Sequence, residues 1–188
     1  MTAPEIPEVP EMASTPEVKE KPLWREVLEV VVIAVVLALV IRFFVVEPFY
    51  IPSESMLPTL EVNDRIIVSK VNYYFTSPER GEILVFKYPL DLSQNFVKRL
   101  IAVGGETVEL KNSVLYINGE AVPEDYLPPD LRYSNFGPVE VPEGHFFMMG
   151  DNRNSSSDSR TWGYVDEELL IGRAMLIIWP FDRFGVVK

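Results

Sequence analysis

Thr107-Val-Glu-Leu-Lys-Asn-Ser-Val-Leu-Tyr-Ile117 is the stretch that decides the fold class. Val108 and Leu110 alternate with Thr107, Glu109 and Lys111, and after Asn112-Ser113 an apolar, β-branched run resumes from Val114 to Ile117. Strand-like runs on both sides of a two-residue polar break mark a β-hairpin, because successive strand side chains point to opposite faces. A second turn signal, Asn118-Gly119, follows at once. Working outward, short alternating or β-branched runs recur at Arg65–Val71, Glu82–Lys87, Phe96–Val103, His145–Met149 and Leu176–Trp179. Turn residues bound each of them, so the chain reads as mainly β. Asp166–Leu170 alone hints at a short helix, and Pro123–Pro142, rich in Pro, Asp and Asn, reads as a surface excursion.

Ahead of this region the texture differs. Residues 1–22 hold five prolines and five glutamates against two lysines, with little that could form a core, and are expected to be a disordered acidic tail. Val30–Ile41 is an unbroken apolar run, extended by Phe43-Phe44-Val45-Val46 after Arg42. Val27–Val46 gives twenty positions with Glu29 and Arg42 near the ends, the length a spanning helix needs. The competing reading is a buried core helix. Residues 23–46 are thus expected to be a single transmembrane anchor, and Lys19, Lys21 and Arg25 before it favour a cytoplasmic N-terminus. A cleaved secretory signal fits less well, since the preceding tail is long and acidic and no small-x-small site follows. Residues 47–188 then make one β-rich domain, the number that a chain of 188 residues suggests.

Composition narrows the chemistry. Lys+Arg 17 against Asp+Glu 28 gives a formal charge of −11, a field that repels phosphate backbones and argues against a nucleic-acid partner. With no cysteine and one histidine, thiolate catalysis is excluded and the usual His/Cys zinc sites cannot form. Catalysis, if present, must rest on hydroxyls, carboxylates or amines.

Three segments carry such groups. Pro52-Ser-Glu-Ser-Met-Leu-Pro-Thr-Leu60 places two serines in a tight turn directly after the apolar segment. Gly150-Asp-Asn-Arg-Asn-Ser-Ser-Ser-Asp-Ser-Arg160 has no apolar side chain. Phe96-Val-Lys-Arg-Leu-Ile-Ala102 sets Lys98 inside an otherwise apolar strand. Taken singly, each has a plain structural reading: a Ser/Pro turn, a solvated loop, an exposed edge lysine.

Together they resemble the sequence boxes of the type I signal peptidases, membrane-bound Ser/Lys endopeptidases, over roughly Pro48 to Arg173. Ser53-x-Ser55-Met56-x-Pro58-Thr59-Leu60 is similar to the first box, Arg80-Gly-Glu-Ile-Leu-Val-Phe86 to a strand between boxes, Lys98-Arg99 to the lysine box, and Gly150-Asp151-Asn152-Arg153 through Ser156, Asp158, Ser159 and Arg160 to the last. Ala102 stands where the family usually has glycine, Gly104 where proline is common, and Glu54 where some members have glycine. The resemblance implies a β-rich catalytic domain of signal-peptidase type, with Ser55 as nucleophile and Lys98 as general base. It also implies that the Ser55 N–H and the Ser53 hydroxyl form the oxyanion hole, and that Ser156 orients the Lys98 amine. Asp151 with Arg99, and Asp158 with Arg160, are expected as braces beside the site. No metal or other cofactor is expected. The implied substrates are secretory preproteins cleaved after small residues, and the implied location is the cell membrane, with the catalytic domain on the outer (trans) face.

Three further expectations come from the residues. A lysine near its reference pKa of about 10.4 is almost fully protonated at pH 7, so Lys98 needs burial to act as a base. Ser55 stands nine residues after Val46, hence within about 32 Å of the anchor's end, so the substrate should itself be membrane-tethered. Phe49, Tyr50, Ile51, Tyr73, Tyr74 and Phe75 could form a rim touching lipid headgroups, or could be core. Two alternatives remain at this point. One is a triad using His145, the only imidazole; the other is a non-catalytic membrane-tethered β-rich binding or scaffold domain. A soluble self-cleaving Ser/Lys repressor is disfavoured by the absence of a basic DNA-binding segment.

Overall fold

The computed structural model describes residues 22–71, 73 and 76–188, with the side chains of 43 and 44 excepted. The expected acidic tail up to residue 21, and Tyr74 and Phe75 of the expected rim, lie outside the described residues. The chain divides into two units, residues 1–38 and 39–188.

Helix α1, Leu23–Val40, begins the described chain and has no buried residue. Its apolar stretch starts only after Arg25, Glu26 and Glu29, and among the described residues no helix is long and apolar enough to cross a membrane. A π-helical turn, Ile41–Val45, carries the chain to β1, Val46–Tyr50, so the last position of the expected span opens a strand.

Residues 39–188 form two antiparallel sheets. The larger runs in the order β1, β2 (Arg65–Ser69), β11 (Leu170–Trp179), β3 (Ile83–Tyr88), β4 (Asp91–Val103), β9 (His145–Met149) and β10 (Val165–Asp166), with β12 (Gly185–Val186) also paired to β11. The smaller runs β7 (Glu120–Val122), β6 (Val114–Ile117), β5 (Thr107–Lys111) and β8 (Phe136–Glu140). The hairpin read first from the sequence is β5–β6, with Val108 opposite Ile117 and Lys111 opposite Val114. Asn112, Ser113, Asn118 and Gly119 all have positive φ (53°, 61°, 52° and 83°), the backbone that tight two-residue hairpins require.

β1 and β8 escaped the pattern and β4 was read short, for related reasons of position. β1 contains Pro48, β8 contains Gly137-Pro138, and both are sheet edges, where a missing N–H costs no ladder bond. β4 begins five positions earlier than the apolar run, because Leu92–Asn95 project beyond the core and are exposed. The helical hint at 166–170 is a 3₁₀ turn, Glu167–Leu169, and a second short helix, α2, Ser159–Trp162, follows the polar loop.

Two clusters fix what lies around the site. Ile51, Met56 and Leu60 pack with Ile66, Val68, Ile83, Val85, Ala174, Ile177 and Val187, so the serine turn is nailed down by its own apolar residues. Ile101, Ala102, Phe147 and Met149 meet Val108, Leu110, Leu115, Ile117 and Val141, which joins the two sheets. Each Val, Leu, Ile, Phe or Met among them, fully buried, contributes roughly 1.5–3 kcal/mol. Most of the described part of the expected rim is core or braced: Ile51 is buried, Phe49 packs against the first cluster, and the Tyr73 hydroxyl donates to Glu82 Oε2 at 2.7 Å. Tyr50 alone of that set is exposed.

Candidate active site

Ser55 lies in the turn following Pro52, between buried Ile51 and buried Met56. β4 crosses beside it, held by β3 through Leu84 opposite Lys98 and Ile83 opposite Arg99, and by β9 from Arg99 onward. Alternation along β4 sends Lys98 and Arg99 in opposite directions. Lys98 Nζ stands 2.6 Å from Ser55 Oγ, and the residue is 4% exposed, which overturns the reading of an exposed edge lysine. Ser53 Oγ lies 3.4 Å from Ser55 Oγ.

Burial lowers the Lys98 pKa to about 8. The negative charges of Asp158 and Asp151 work against this, and Arg160 works with it. Each of those carboxylates has its own arginine. Arg160 Nε and Nη2 grip Asp158 at 2.8 and 2.7 Å, and Arg99 Nε and Nη2 grip Asp151 at 2.9 and 2.7 Å. Paired in this way, the acids hold the Lys98 ammonium less strongly than bare carboxylates would. For Asp158, burial pushes the carboxyl up, but the Arg160 bonds and charge and the Gly150 N–H outweigh it and leave the pKa below the usual range.

The Arg99–Asp151 pair is almost wholly buried and is not a solvated charge pair. Arg99 also donates to the Gly81 carbonyl at 2.6 Å and lies over the Tyr126 ring at 3.8 Å, while Thr59 donates to Asp151 at 2.5 Å. The 150–160 loop clasps the serine turn directly: Asn152 N–H donates to the Ser55 carbonyl and Asn152 Nδ2 to the Glu54 carbonyl, both at 3.1 Å. No hydrogen bond joins Ser156 to Lys98. The Ser156 hydroxyl is buried without a well-formed partner, although it sits close enough to Asp158 to help keep that carboxyl low.

Gly150 explains how closely the loop approaches. A Cβ there would stand 2.2 Å from Ser156 Oγ and 2.3 Å from the Ser55 carbonyl oxygen. Backbone cannot yield as a side-chain tip can, so Gly150→Ala should push the loop off the serine turn. A 1 Å misplacement of that turn would slow any reaction at the Ser55 hydroxyl by about 100-fold, to be read on protein whose circular dichroism shows it folded.

Sequence reasoning missed one partnership. Arg153 and Glu124 form a buried ion pair, with the Tyr126 and Tyr133 hydroxyls donating to Glu124. The excursion at 123–142 is therefore tied to the polar loop. No local pattern signalled a partner 29 residues away. His145 takes no part: its Nδ1 lies 3.0 Å from the Glu143 carbonyl, in a strand paired to Asp166. Among the described residues no cluster of His, Cys, Asp and Glu could hold a metal ion.

A groove of about 540 Å³ opens at the serine turn, lined by Phe49, Tyr50 and Ile51, by Asn95, Phe96 and Val97 of β4, and by Ser55 and Lys98. Its size falls in the range of ligand sites. β4 is paired with β3 at Asn95–Arg99 but with β9 only from Arg99, so its other edge faces the groove unpaired.

The profile of the family described as signal peptidase, peptidase S26, matches residues 24–179. The "Probable signal peptidase I-1" of Synechocystis sp. is 46% identical over 168 residues, covering 86% of this chain and 85% of its own. The "Signal peptidase I" of Leptolyngbya laminosa is 46% identical over 192 residues, covering 97% and 92%. A crystal structure of a signal peptidase I from Enterococcus faecalis V583 is 36% identical and covers 52% of this chain and 97% of its own, with a TM-score of 0.47. The chain belongs to the signal peptidase family, peptidase S26. It is accordingly a serine-type endopeptidase that removes signal peptides, and the reading as a non-catalytic scaffold falls away.

Proposed function

We propose that signal peptides are cleaved here by a Ser/Lys dyad, with Ser55 as nucleophile and Lys98 as general base, in an enzyme anchored to the membrane by its N-terminal helix. The observation that carries the reading is the 2.6 Å approach of Lys98 Nζ to Ser55 Oγ, with the amine buried.

With a pKa of about 8, roughly a tenth of Lys98 is neutral at pH 7. The neutral amine accepts the Ser55 proton as Oγ attacks the scissile carbonyl, and the carbonyl electrons move onto oxygen. The Ser55 N–H and the Ser53 hydroxyl face that oxyanion. The resulting Lys98 ammonium then gives its proton to the departing amine, leaving an acyl-Ser55 ester. A water molecule, deprotonated by the again neutral Lys98, hydrolyses the ester and regenerates the site. Ser156 is a positioning residue beside Asp158, while Asp151, Arg99, Asp158 and Arg160 hold the loop and mask negative charge. The precursor lies extended in the groove, adding its backbone to the open edge of β4.

Residues 1–22 form the tail, 23–46 the anchor and 47–188 the peptidase domain. The Val30–Ile41 run supplies the anchor's apolar length, Glu29 and Arg42 snorkel from its ends, and Lys19, Lys21 and Arg25 keep the N-terminus cytoplasmic. The catalytic domain then faces the outer side, where exported precursors emerge.

Ser55→Ala should abolish processing of a model preprotein, with the uncleaved form accumulating on gels. The pH profile of the intact enzyme supplies a second check. Because the base works when neutral, kcat/KM should rise with pH through an apparent pKa near 8. Activity already at plateau by pH 6, or a Ser55→Ala variant that still cleaves, sinks the dyad.

A further inference from the structure

Residues 180–188 lie beyond the family match, which ends at residue 179, yet they grip the loop that carries Ser55. That loop is closed at its base: Ile51 N–H donates to the Asp64 carbonyl and Asn63 N–H to the Ile51 carbonyl, both at 2.9 Å. The Asp64 side chain sits inside the base, wholly buried, and its Oδ2 accepts the Glu61 N–H at 2.8 Å. Arg183, from the 3₁₀ turn Phe181–Arg183, clamps it. Nε and Nη2 each reach an Asp64 carboxylate oxygen at 3.0 Å, Nη1 reaches Glu61 Oε1 at 2.5 Å, and Nη2 reaches the Thr59 carbonyl at 3.3 Å. Thr59 in turn donates its hydroxyl to Asp151.

Farther along, Val187 is buried with Ile51, Met56 and Leu60 and donates its N–H to the Met175 carbonyl at 2.9 Å. The Lys188 carbonyl accepts from Arg99 Nη2 at 3.2 Å. One short segment thus holds the stretch after Ser55 with one hand and the neighbour of Lys98 with the other. None of its residues lines the substrate groove.

We infer that residues 181–188 are a positioning strap for the peptidase reaction, with Arg183 as its principal contact, setting the Ser55 turn against Lys98. The inference rests on the roles given above to Ser55 and Lys98. A strap of this kind acts on the reacting geometry and not on substrate binding, so its loss should lower kcat and spare KM.

The test is steady-state cleavage of a signal-peptide substrate by the full chain carrying Arg183→Ala or Arg183→Lys. Arg183→Ala should lower kcat roughly tenfold or more with KM within about twofold, the effect of a sub-ångström displacement of the nucleophile. Arg183→Lys keeps a cation opposite Asp64, but one ammonium cannot span Asp64, Glu61 and the Thr59 carbonyl together. It should fold normally and still lose about three- to tenfold in kcat, less than the alanine variant. If Arg183→Ala does not fold, the lysine variant decides alone. Folded variants with unchanged kcat, or with KM raised and kcat intact, overturn the strap. Ser55→Ala run in parallel separates the two levels: residual turnover there defeats the dyad, whereas an inactive Ser55→Ala beside fully active Arg183 variants defeats only the strap.

Discussion

Lys98→Met is expected to lower kcat/KM by at least about 10³-fold and, at the same time, to make the folded domain more stable. The loss of activity follows from the proposed chemistry, since the single histidine is bonded to the Glu143 carbonyl and no second amine lines the groove to replace the base. The gain in stability follows from the pKa. In the unfolded chain this lysine titrates near 10.5 and in the folded chain at about 8. Below pH 8 both states are protonated, and the whole cost of burying the ammonium, about 3 kcal/mol, opposes folding. Between pH 8 and 10.5 the unfolded state binds more protons, so stability rises with pH and the cost disappears above that window. Methionine has nearly the same length and no charge to bury. Its advantage should therefore be largest near pH 7 and vanish near pH 11. Urea denaturation of both proteins at several pH values measures it. A Lys98→Met variant less stable than the parent at pH 7 would show that the amine costs nothing where it is.

Asp151→Ala should do the reverse and damage both fold and activity. It removes one half of an ion pair whose side chains are 0% and 3% exposed, and leaves the Arg99 charge without a counter-charge in the interior. Breaking such a pair by deleting one partner typically costs about 3–5 kcal/mol. For a unit of this size that corresponds to a fall of roughly 10 °C in Tm. Thr59 also loses its acceptor, and so the serine turn loses a tie. Glu47→Ala, which opens the half-exposed Lys70–Glu47 bridge, should cost less than about 1 kcal/mol. Thermal melts of the two variants side by side check both the size and the contrast. A melt for Asp151→Ala within about 2 °C of the parent would mean that water reaches the Arg99 guanidinium.

The sequence made some of this legible and hid the rest on physical grounds. The β5–β6 hairpin could be read because alternation and turn residues are local facts. The edge strands β1 and β8 could not, since proline inside a run normally argues against a strand, and only their place at a sheet edge makes it harmless. Ser55 and Lys98 were singled out by resemblance to family boxes. That Lys98 is buried, and the clasp of Glu124 on Arg153, depend on segments distant in sequence that no periodicity reports. Phe49 and Ile51, which the sequence leaves open between a rim and the core, turn inward, whereas Trp179, Phe181, Phe184 and Val186, which no pattern singles out, are exposed.

The pairing of β4 on both sides carries a consequence for fidelity of assembly. Lys98 and Arg99 are consecutive, and in a strand a slip of one residue exchanges the two faces. Such a slip would present to Ser55 a guanidinium that never gives up its proton at ordinary pH, and would send an ammonium to Asp151 in place of a two-pronged fork. β3 in register from Ile83 to Lys87 on one side, and β9 at Arg99 and Leu100 on the other, make that error incompatible with the rest of the sheet. The placement of an amine, and not a guanidinium, beside Ser55 is thus secured by the counting of residues along a strand as much as by any contact the lysine makes itself.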